Sequence, residues 1–279
     1  MNTLKVTIQG VAGCFHDAAA RAYFKDTQIE TIPCTTFPEM MDRLNTDANL
    51  FGVMAIENTI AGALLQNHEL LRKSNARIIG ETKMRISHCL CALPGETMDT
   101  LQEVNSHPMA LLQCEQFLQH YPGLKQVEKF DTAGSAAEIA QKRLAGHAAI
   151  CGEYAAGLYG LEILHNGIET NKRNFTRFLI LADPSVAPEY RPSERDIDKA
   201  SLVFTLPHEK GALSKVLTIL SFYDMNLSKL QSMPIVGREW EYRFYADLTF
   251  GSYIRYRQAV EAVRPLTNDL TVLGEFCES

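Results

Sequence analysis

A hydroxyl and a guanidinium stand side by side in the segment NFTRF, residues 174–178, at the entrance to the apolar run 178–181. Thr176 offers a hydrogen-bond donor, and the planar side chain of Arg177 can hold a carboxylate through two parallel hydrogen bonds. Open α/β sheets bind their ligands at strand ends. The pair therefore suits a functional site at the entrance to the strand, although an edge strand that opens with two solvated side chains would carry the same residues.

A second polar cluster, Glu57-Asn58-Thr59, directly follows the continuous apolar run 51–56, which is typical of a buried parallel strand. This is again the end of a strand at which α/β folds bind ligands. Asn58 or Thr59 could instead cap a helix over residues 63–72. Glu57 is harder to explain in that way, because a carboxylate at the end of a buried strand needs a partner or a function.

A glycine turn around Gly13, within residues 10–16, joins the first predicted strand to an alanine-rich helix. Backbone N–H groups at such a helix start form an anion cradle. A dinucleotide site is the obvious alternative, but GVAG does not have the GxGxxG spacing. A metabolite that bears a carboxylate suits the turn equally well.

Two further strand-to-helix turns carry hydroxyl or imidazole groups. Pro108 suits the first helical position, with Ser106 or His107 as the cap, so His107 is either only a helix cap or a donor aimed into a cleft. Thr132 and Ser135 lie in a later turn of small, hydroxylated residues that opens another helix. If the chain forms two lobes, these turns would face one another across a cleft.

The order of apolar runs predicts an α/β fold with two βα lobes around a cleft, like that of periplasmic binding proteins, followed by a smaller domain. Three prolines among charged residues indicate a linker, and the pattern after it is βαββαβ, a ferredoxin-like unit. The predicted catalytic domain spans residues 1–183 (lobe one about 1–76 plus 176–183, lobe two about 77–175), the linker 184–199 and the second domain 200–279.

Composition excludes several classes of protein. Charged residues make up 22% and hydrophobic residues 46%, and the formal net charge of −6 argues against a nucleic-acid binder. No apolar run approaches the roughly 20 residues of a membrane span, and no signal peptide is visible, so we expect a cytoplasmic protein with no membrane contact. The seven cysteines are scattered. Cys89 and Cys91 share one face of a predicted strand, but without a matching cluster we expect neither a metal site nor disulfides.

Four motifs in this order resemble the prephenate dehydratase family with a C-terminal regulatory ACT domain, over nearly the whole chain. The motif Asn-x-Thr-Arg-Phe matches Asn174, Thr176, Arg177 and Phe178; Glu-Asn-Ser/Thr-x-x-Gly matches Glu57, Asn58, Thr59 and Gly62. Ser-His-Pro-x-Ala-Leu-x-Gln-Cys is matched by Ser106, His107, Pro108, Ala110, Leu111, Gln113 and Cys114, and the Thr-Ala-rich turn by residues 131–137.

The resemblance implies a lyase that converts prephenate to phenylpyruvate in phenylalanine biosynthesis, without a cofactor or a metal, because aromatisation drives the loss of carbon dioxide and the ring hydroxyl. It implies that Thr176 lies beside the leaving hydroxyl, that Arg177 binds a carboxylate, and that Glu57 is either a protonated acid or an ionised orienting group. The residues expected to bind or position the substrate are Gly13, Asn58, Thr59, Ser106, His107, Thr132, Ser135, Asn174 and Phe178.

The resemblance also implies feedback control by phenylalanine, bound between ACT domains of a homodimer or homotetramer. The candidate contacts are Gly211, Ala212, Leu213, Asn226, Leu227, Gln231 and Ser232. Two departures from the family pattern stand out. Cys14 and His16 replace the usual hydroxyls of the first turn, and Gln231 and Met233 replace the usual Glu and Arg of the ACT motif.

Two alternative functions remain open at this point. One is the amino analogue arogenate as the substrate, which differs from prephenate by an ammonium in place of a ketone, and no residue of the motifs decides that contact. The other is a non-catalytic, bilobal sensor of small molecules. The Thr176-Arg177 pair together with Glu57 weighs against a pure sensor.

Overall fold

The computed structural model describes residues 3–279. The chain forms two compact units, and each unit draws on separate stretches of sequence. The first contains the residues up to Arg43 together with Gly52–Leu64 and Thr82–Phe178, and the second contains Leu44–Phe51, Leu65–Glu81 and Leu179–Ser279. The predicted boundaries of the two lobes, the linker and the second domain stay predictions.

The amino-terminal part alternates strands and helices, as the spacing of the apolar runs predicts. Its elements are β1 (Leu4–Gln9), α1 (Phe15–Tyr23), β2 (Ile29–Cys34), α2 (Phe37–Thr46), β3 (Leu50–Asn58), β4 (Gly62–Ala63), α3 (Leu65–Lys73) and β5 (Arg77–Arg85). β1 and β2 pair in parallel. Residues 50–56 of β3 are all buried, which explains why this strand is apolar without alternation.

A separate sheet follows in the first unit. Its elements and the helices between them are β6 (Cys89–Ala92), β7 (Glu103–Ser106), α4 (Pro108–Gln113), α5 (Glu115–Leu118), β8 (Lys125–Glu128), α6 (Thr132–Lys142), β9 (His147–Cys151), α7 (Glu153–Leu158) and β10 (Glu162–His165). The strand order is β10-β6-β9-β7-β8. The chain then enters β11 (Phe175–Ala182), which lies between β5 and β3 in the other sheet. The chain thus returns from the second sheet to the first at β11.

The βαββαβ pattern predicted for the carboxy-terminal part is found in the second unit. Its elements are β12 (Lys199–Thr205), α9 (Ala212–Phe222), β13 (Asn226–Pro234), β14 (Tyr242–Thr249), α10 (Tyr253–Val263), the 3₁₀ turn Arg264–Leu266 and β15 (Asn268–Phe276). The strand order β13-β14-β12-β15, with antiparallel pairing, is ferredoxin-like. Leu202, Val216, Tyr256 and Val260 belong to the core between this sheet and the two helices.

The segment predicted as a linker has some regular structure of its own. It contains the short helix α8 (Ala187–Tyr190), and its last residue, Lys199, already opens β12. Lys199 is buried, and its Nζ lies 2.9 Å from Oε1 of the buried Glu81. Across positions 3–279, the structure has no helix that is long and apolar enough to cross a membrane.

Candidate active site

A cavity of about 280 Å³ in the first unit brings together most of the polar turns that the sequence singled out. Both sheets contribute to it: β1, β3 and β11 from one side, and the starts of α4 and α6 from the other. Its aromatic walls include Phe15, Phe37 and Phe178. Its polar lining consists of Gln9, His16, Asn58, His88, His107, Gln113, Asp131, Thr132 and Thr176.

Asn58, at the end of β3, has a side-chain amide whose orientation is fixed by the backbone. Its Oδ1 accepts hydrogen bonds from the amides of Ile60 (2.9 Å) and Ala61 (2.8 Å), which can only donate. Its Nδ2 must therefore be the group that faces β11, where it donates to Asn174 Oδ1 (2.7 Å) and Thr176 Oγ1 (2.9 Å). Two backbone amides thus set the direction of hydrogen bonding in the cavity wall.

The orientation of Asn58 fixes the hydrogen bonds of three more side chains, with Asn174 and His88 both donating to Gln113. Because Asn174 Oδ1 accepts, its Nδ2 donates, and it does so to Gln113 Oε1 at 3.1 Å. Gln113 Oε1 also lies 3.0 Å from His88 Nε2. A carbonyl oxygen cannot donate, so the proton of His88 is on Nε2 and the lone pair is on Nδ1. Buried at 2% exposure, His88 has no hydrogen-bond partner for Nδ1 within residues 3–279.

Thr176 is poised as a donor by this network. Its hydroxyl oxygen accepts from Asn58 Nδ2, so its own proton is left to point at another group. The residue is 8% exposed and lines the cavity, as does Phe178, while the residue between them does not. This alternation is the ordinary two-residue period of a strand. A group in the cavity that gains negative charge would therefore meet the Thr176 hydroxyl.

Two histidines of the lining have their pKa lowered by the same physical cause, which favours their neutral forms. Burial lowers the pKa of His16 to about 4. Its Nε2 accepts from the Ala55 amide (3.3 Å), so the ring proton is on Nδ1. Burial also lowers the pKa of His88, against the opposing effect of its hydrogen bond to Gln113. His16 packs edge-on against Phe178 and thus fills space where the resemblance expects a small hydroxyl.

The starts of α4 and α6 supply the other side of the cavity. His107 caps α4, with Nδ1 accepting from Met109 N at 3.1 Å, and the residue also lines the cavity; its predicted role as a donor in the cleft stays a prediction. Asp131 caps α6, with Oδ1 accepting from Gly134 N at 2.7 Å. Burial raises the pKa of Asp131, although the amides of Gly134 and Ala133 oppose that effect. Thr132 follows it in the lining.

Several predicted residues lie outside this lining. Arg177 is 9% exposed and, by strand alternation, lies on the face of β11 opposite Thr176. Glu57 is half-buried next to Asn58 but does not line the cavity. The roles predicted for both residues at the substrate stay predictions.

Three predicted hydroxyls have structural partners instead. Ser106 donates to Ile150 O (2.6 Å) and Ser135 to Asp131 O (2.8 Å). Thr59 donates to Arg173 O (3.0 Å) and accepts from Phe175 N (2.9 Å), so it clamps its turn to the start of β11. These side chains hold the elements that carry the site, and none of them lines the cavity.

The prediction that the first glycine turn binds an anion through its backbone is wrong for the Gly13 and Cys14 amides. The Gly13 N–H donates to the carboxylate of the buried Asp17 (2.8 Å), and the Cys14 N–H donates to Val11 O (3.1 Å). Neither can also bind an anion. Gly13 is instead required for close packing and for its backbone angle, since φ is +87° and a Cβ there would lie 3.2 Å from Ala155 Cα.

The cysteines are scattered in the sequence, but the fold brings three of them together. Cys89 and Cys91 do share one face, and Cys151 on the neighbouring β9 brings its sulfur within 4.8 Å of both. The described residues add no fourth ligand to this cluster, whereas structural zinc sites take four. All three cysteines are free thiols. Sequence spacing did not reveal the cluster, because Cys151 lies 60 positions from Cys91.

Sequence reasoning also missed lining residues that the structure brings to the site. Gln113 and Asp131 lie within motifs quoted for the resemblance, so a signal was present for them. His16 was visible only as a departure from the family turn. His88 had no sequence signal, since it sits in an irregular stretch between β5 and β6.

The residues predicted to bind phenylalanine lie at two places in the second unit. Gly211, with φ of +77°, precedes α9, which begins with Ala212 and Leu213. Asn226, Leu227, Gln231 and Ser232 lie on β13, where the Gln231 side chain donates to Ser232 O (3.0 Å) and Asn226 donates to Thr249 Oγ1 (3.0 Å).

Comparison with known proteins identifies what this arrangement resembles. The family model for prephenate dehydratase matches residues 6–186. Arogenate dehydratase 5, chloroplastic, from Arabidopsis thaliana is 36% identical over 99% of this chain and 68% of its own length. The structure of a prephenate dehydratase from Arthrobacter aurescens in complex with L-Phe superposes with a TM-score of 0.84, at 25% identity, covering 98% of this chain and 90% of the other. GqqA, described as a novel type of quorum quenching acylase, also has a TM-score of 0.84, at 28% identity, covering 99% of this chain and 98% of the other.

Proposed function

The chain belongs to the prephenate dehydratase family, and on that premise we propose that it is a lyase that removes carbon dioxide and the ring hydroxyl from prephenate or from its amino analogue arogenate. With prephenate the product is phenylpyruvate. The observation that carries the proposal is the Thr176 hydroxyl, which accepts from Asn58 and lines the cavity with its proton still available.

The proposed reaction uses this hydroxyl at the leaving oxygen. As the ring carboxylate departs as carbon dioxide, its bonding electrons enter the ring, and the ring carbon that bears the hydroxyl expels it. Negative charge develops on that oxygen. The hydrogen bond from Thr176 strengthens as the charge grows, which stabilises the transition state more than the ground state. Apolar walls around Phe178 suit the departing neutral carbon dioxide and the flat aromatic product.

Arg177 and Glu57 keep the roles that the resemblance implies, as part of the proposal. Arg177 would bind a substrate carboxylate, which requires a rearrangement around β11 because the side chain does not line the cavity. We expect Arg177→Ala to raise KM more than it lowers kcat. An unchanged KM would remove Arg177 from the proposed site.

The test of the reaction is the formation of the aromatic product by purified protein, with Thr176→Val and Thr176→Ser as matched variants. Thr176→Val keeps the shape of the side chain and removes the donor, so kcat should fall by roughly 10²- to 10³-fold with little change in KM. Thr176→Ser keeps the donor and should retain most of the activity. A kcat of Thr176→Val equal to that of the native protein would refute the assignment.

Phenylalanine control through the βαββαβ unit is a second part of the proposal. It is supported by the intact Gly211-Ala212-Leu213 sequence at the start of α9 and by the solved relative that binds L-Phe. We expect phenylalanine to lower activity and to bind the homo-oligomer. Activity that is indifferent to phenylalanine, together with no calorimetric binding, would refute this control and point to Gln231 and Met233 as an altered effector site. The cytoplasmic location also stays a prediction.

A further inference from the structure

The charge of the cavity distinguishes between the two substrates of the proposed reaction. Among the lining residues within positions 3–279 there is no lysine or arginine, and Asp131 is the sole acidic side chain. Desolvation lowers the pKa of both His16 and His88, which favours their neutral forms. Apart from the rearrangement proposed for Arg177, the described part of the lining holds no cation. Prephenate and arogenate both bring two carboxylates, but arogenate alone adds an ammonium that the Asp131 carboxylate can pair with.

Asp131 has room for a further hydrogen bond. A carboxylate offers about four lone-pair positions, and the start of α6 uses only part of them through the amides of Gly134 and Ala133. Within the described part of the chain, Asp131 forms no ion pair. His107 is the titratable neighbour that favours its charged form. A partly buried carboxylate without a cationic partner carries a desolvation cost that a bound cation would offset.

His88 lines the cavity, but its Nδ1 is enclosed by protein atoms and is not open to a bound substrate. Its Nδ1 is a bare acceptor, because the direction of hydrogen bonding from Asn58 through Asn174 and Gln113 places the proton on Nε2. This Nδ1 is buried and has no partner among residues 3–279. The attraction for a cation therefore comes from Asp131: an ammonium brings three N–H donors for its carboxylate, whereas a ketone brings none and would set its lone pairs against that carboxylate.

We propose that Asp131 binds the side-chain ammonium of arogenate, so that this protein uses the amino substrate in preference to the keto substrate. The inference rests on the proposed dehydratase function and specifies its substrate. Asp131 is a specificity residue in this proposal, because it contacts the substrate side chain rather than the ring carbons that react.

The experiment measures kcat/KM for arogenate and for prephenate with the native protein and with Asp131→Asn. Asparagine keeps the helix cap, since its side-chain oxygen can still accept from Gly134 N, so thermal unfolding should change little. It removes the negative charge. We expect native protein to prefer arogenate, and the arogenate-to-prephenate ratio of kcat/KM to fall at least tenfold in the variant, as loss of a charged hydrogen-bond partner predicts.

Glu138→Gln is the matched control. It removes one negative charge from the same helix, at a position that pairs with Lys129 and Lys142 and does not line the cavity. The arogenate-to-prephenate ratio of kcat/KM for Glu138→Gln should equal that of the native protein. A fall in the ratio for both variants would mean that net charge, and not Asp131, sets the preference, and would overturn the inference.

The remaining outcomes separate the inference from the function on which it rests. Turnover of both substrates with prephenate preferred, or an unchanged ratio in Asp131→Asn, would overturn the role of Asp131 and leave the dehydratase function standing. No aromatic product from either substrate, with protein that melts cooperatively, would overturn the dehydratase function and this inference with it.

Discussion

At the scale of single residues, Asn58 sets the chemistry of the cavity wall. Its orientation is fixed by the Ile60 and Ala61 amides, and that orientation decides which atoms of Asn174, Gln113 and His88 donate. It also decides that Thr176 accepts from Asn58 and keeps its proton for the cavity. Asn58 therefore acts as a positioning residue for Thr176.

Asn58→Asp should reverse this arrangement with almost no change of shape. The new oxygen would face Thr176 Oγ1, so the hydroxyl would turn its proton toward the carboxylate and away from the cavity. We expect kcat to fall by about 10²-fold or more, with a smaller change in KM, measured by steady-state kinetics. Asn75→Asp makes the same substitution at an exposed position and should behave like the native protein. Comparable kcat values for the two variants would contradict this role of Asn58.

At the scale of elements, close packing decides what the first turn does. Gly13 lies against α7, where the backbone of Ala155 leaves no room for a side chain on Gly13. The Gly13 N–H donates to the Asp17 carboxylate near the start of α1. The turn thus fixes α1, which carries His16 into the cavity. Gly13 is therefore needed for backbone geometry and packing rather than for anion binding.

Gly13→Ala should destabilise the protein, because a Cβ would be forced into both an unfavourable backbone angle and the Ala155 contact. We expect a loss of at least about 1–2 kcal/mol in the free energy of unfolding, measured with urea. Gly157→Ala is the control within the contacting helix. Apart from its chain neighbours and the backbone of its own helix, no atom lies within 4 Å of its new Cβ, and alanine favours helix, so it should stabilise by about 0.5–1 kcal/mol. A Gly13 variant as stable as the native protein would contradict the packing argument.

At the scale of the whole molecule, ionised side chains join elements that are far apart in sequence. In the second unit, Glu69 on α3 accepts from Tyr245 Oη (2.7 Å) and pairs with Arg72 and with Arg243 (3.2 Å) on β14. Burial alone would raise the pKa of Glu69. The hydrogen bonds from Arg72 and Tyr245, with the charges of Arg72 and Arg243, outweigh burial and lower it to about 2.

This lowered pKa predicts a loss of stability in acid. Because the folded-state pKa lies below the unfolded value, the stabilisation is fully present above about pH 4.5 and is lost as the pH falls toward 2. A shift of this size corresponds to up to about 3 kcal/mol. Urea unfolding should therefore show a large deficit for Glu69→Gln at pH 7 and a smaller one at pH 3. Glu261→Gln, at an exposed pair, should differ little from native protein at either pH. An equal deficit for Glu69→Gln at both pH values would refute the linkage.

The sequence by itself determined the local periodicities and the motifs. Continuous apolar runs such as 51–56 predict buried parallel strands, the alternation after residue 200 predicts βαββαβ, and Thr176, Asn58 and His107 were recognisable at strand ends and helix starts. These features depend on neighbours within a few residues, which is why they can be read from the chain alone.

Only the tertiary structure decided which polar groups meet. His88 joins Gln113, and Cys151 joins Cys89 and Cys91, across separations of 25 and 60 or more positions that no spacing rule covers. Strand alternation turned Arg177 away from Thr176, and the Asp17 carboxylate had already taken the amide of Gly13. Which donors and acceptors of a cavity remain available to a ligand depends on the hydrogen bonds that the surrounding residues already make, and so does the charge of the cavity. These hydrogen bonds form only when the chain is folded.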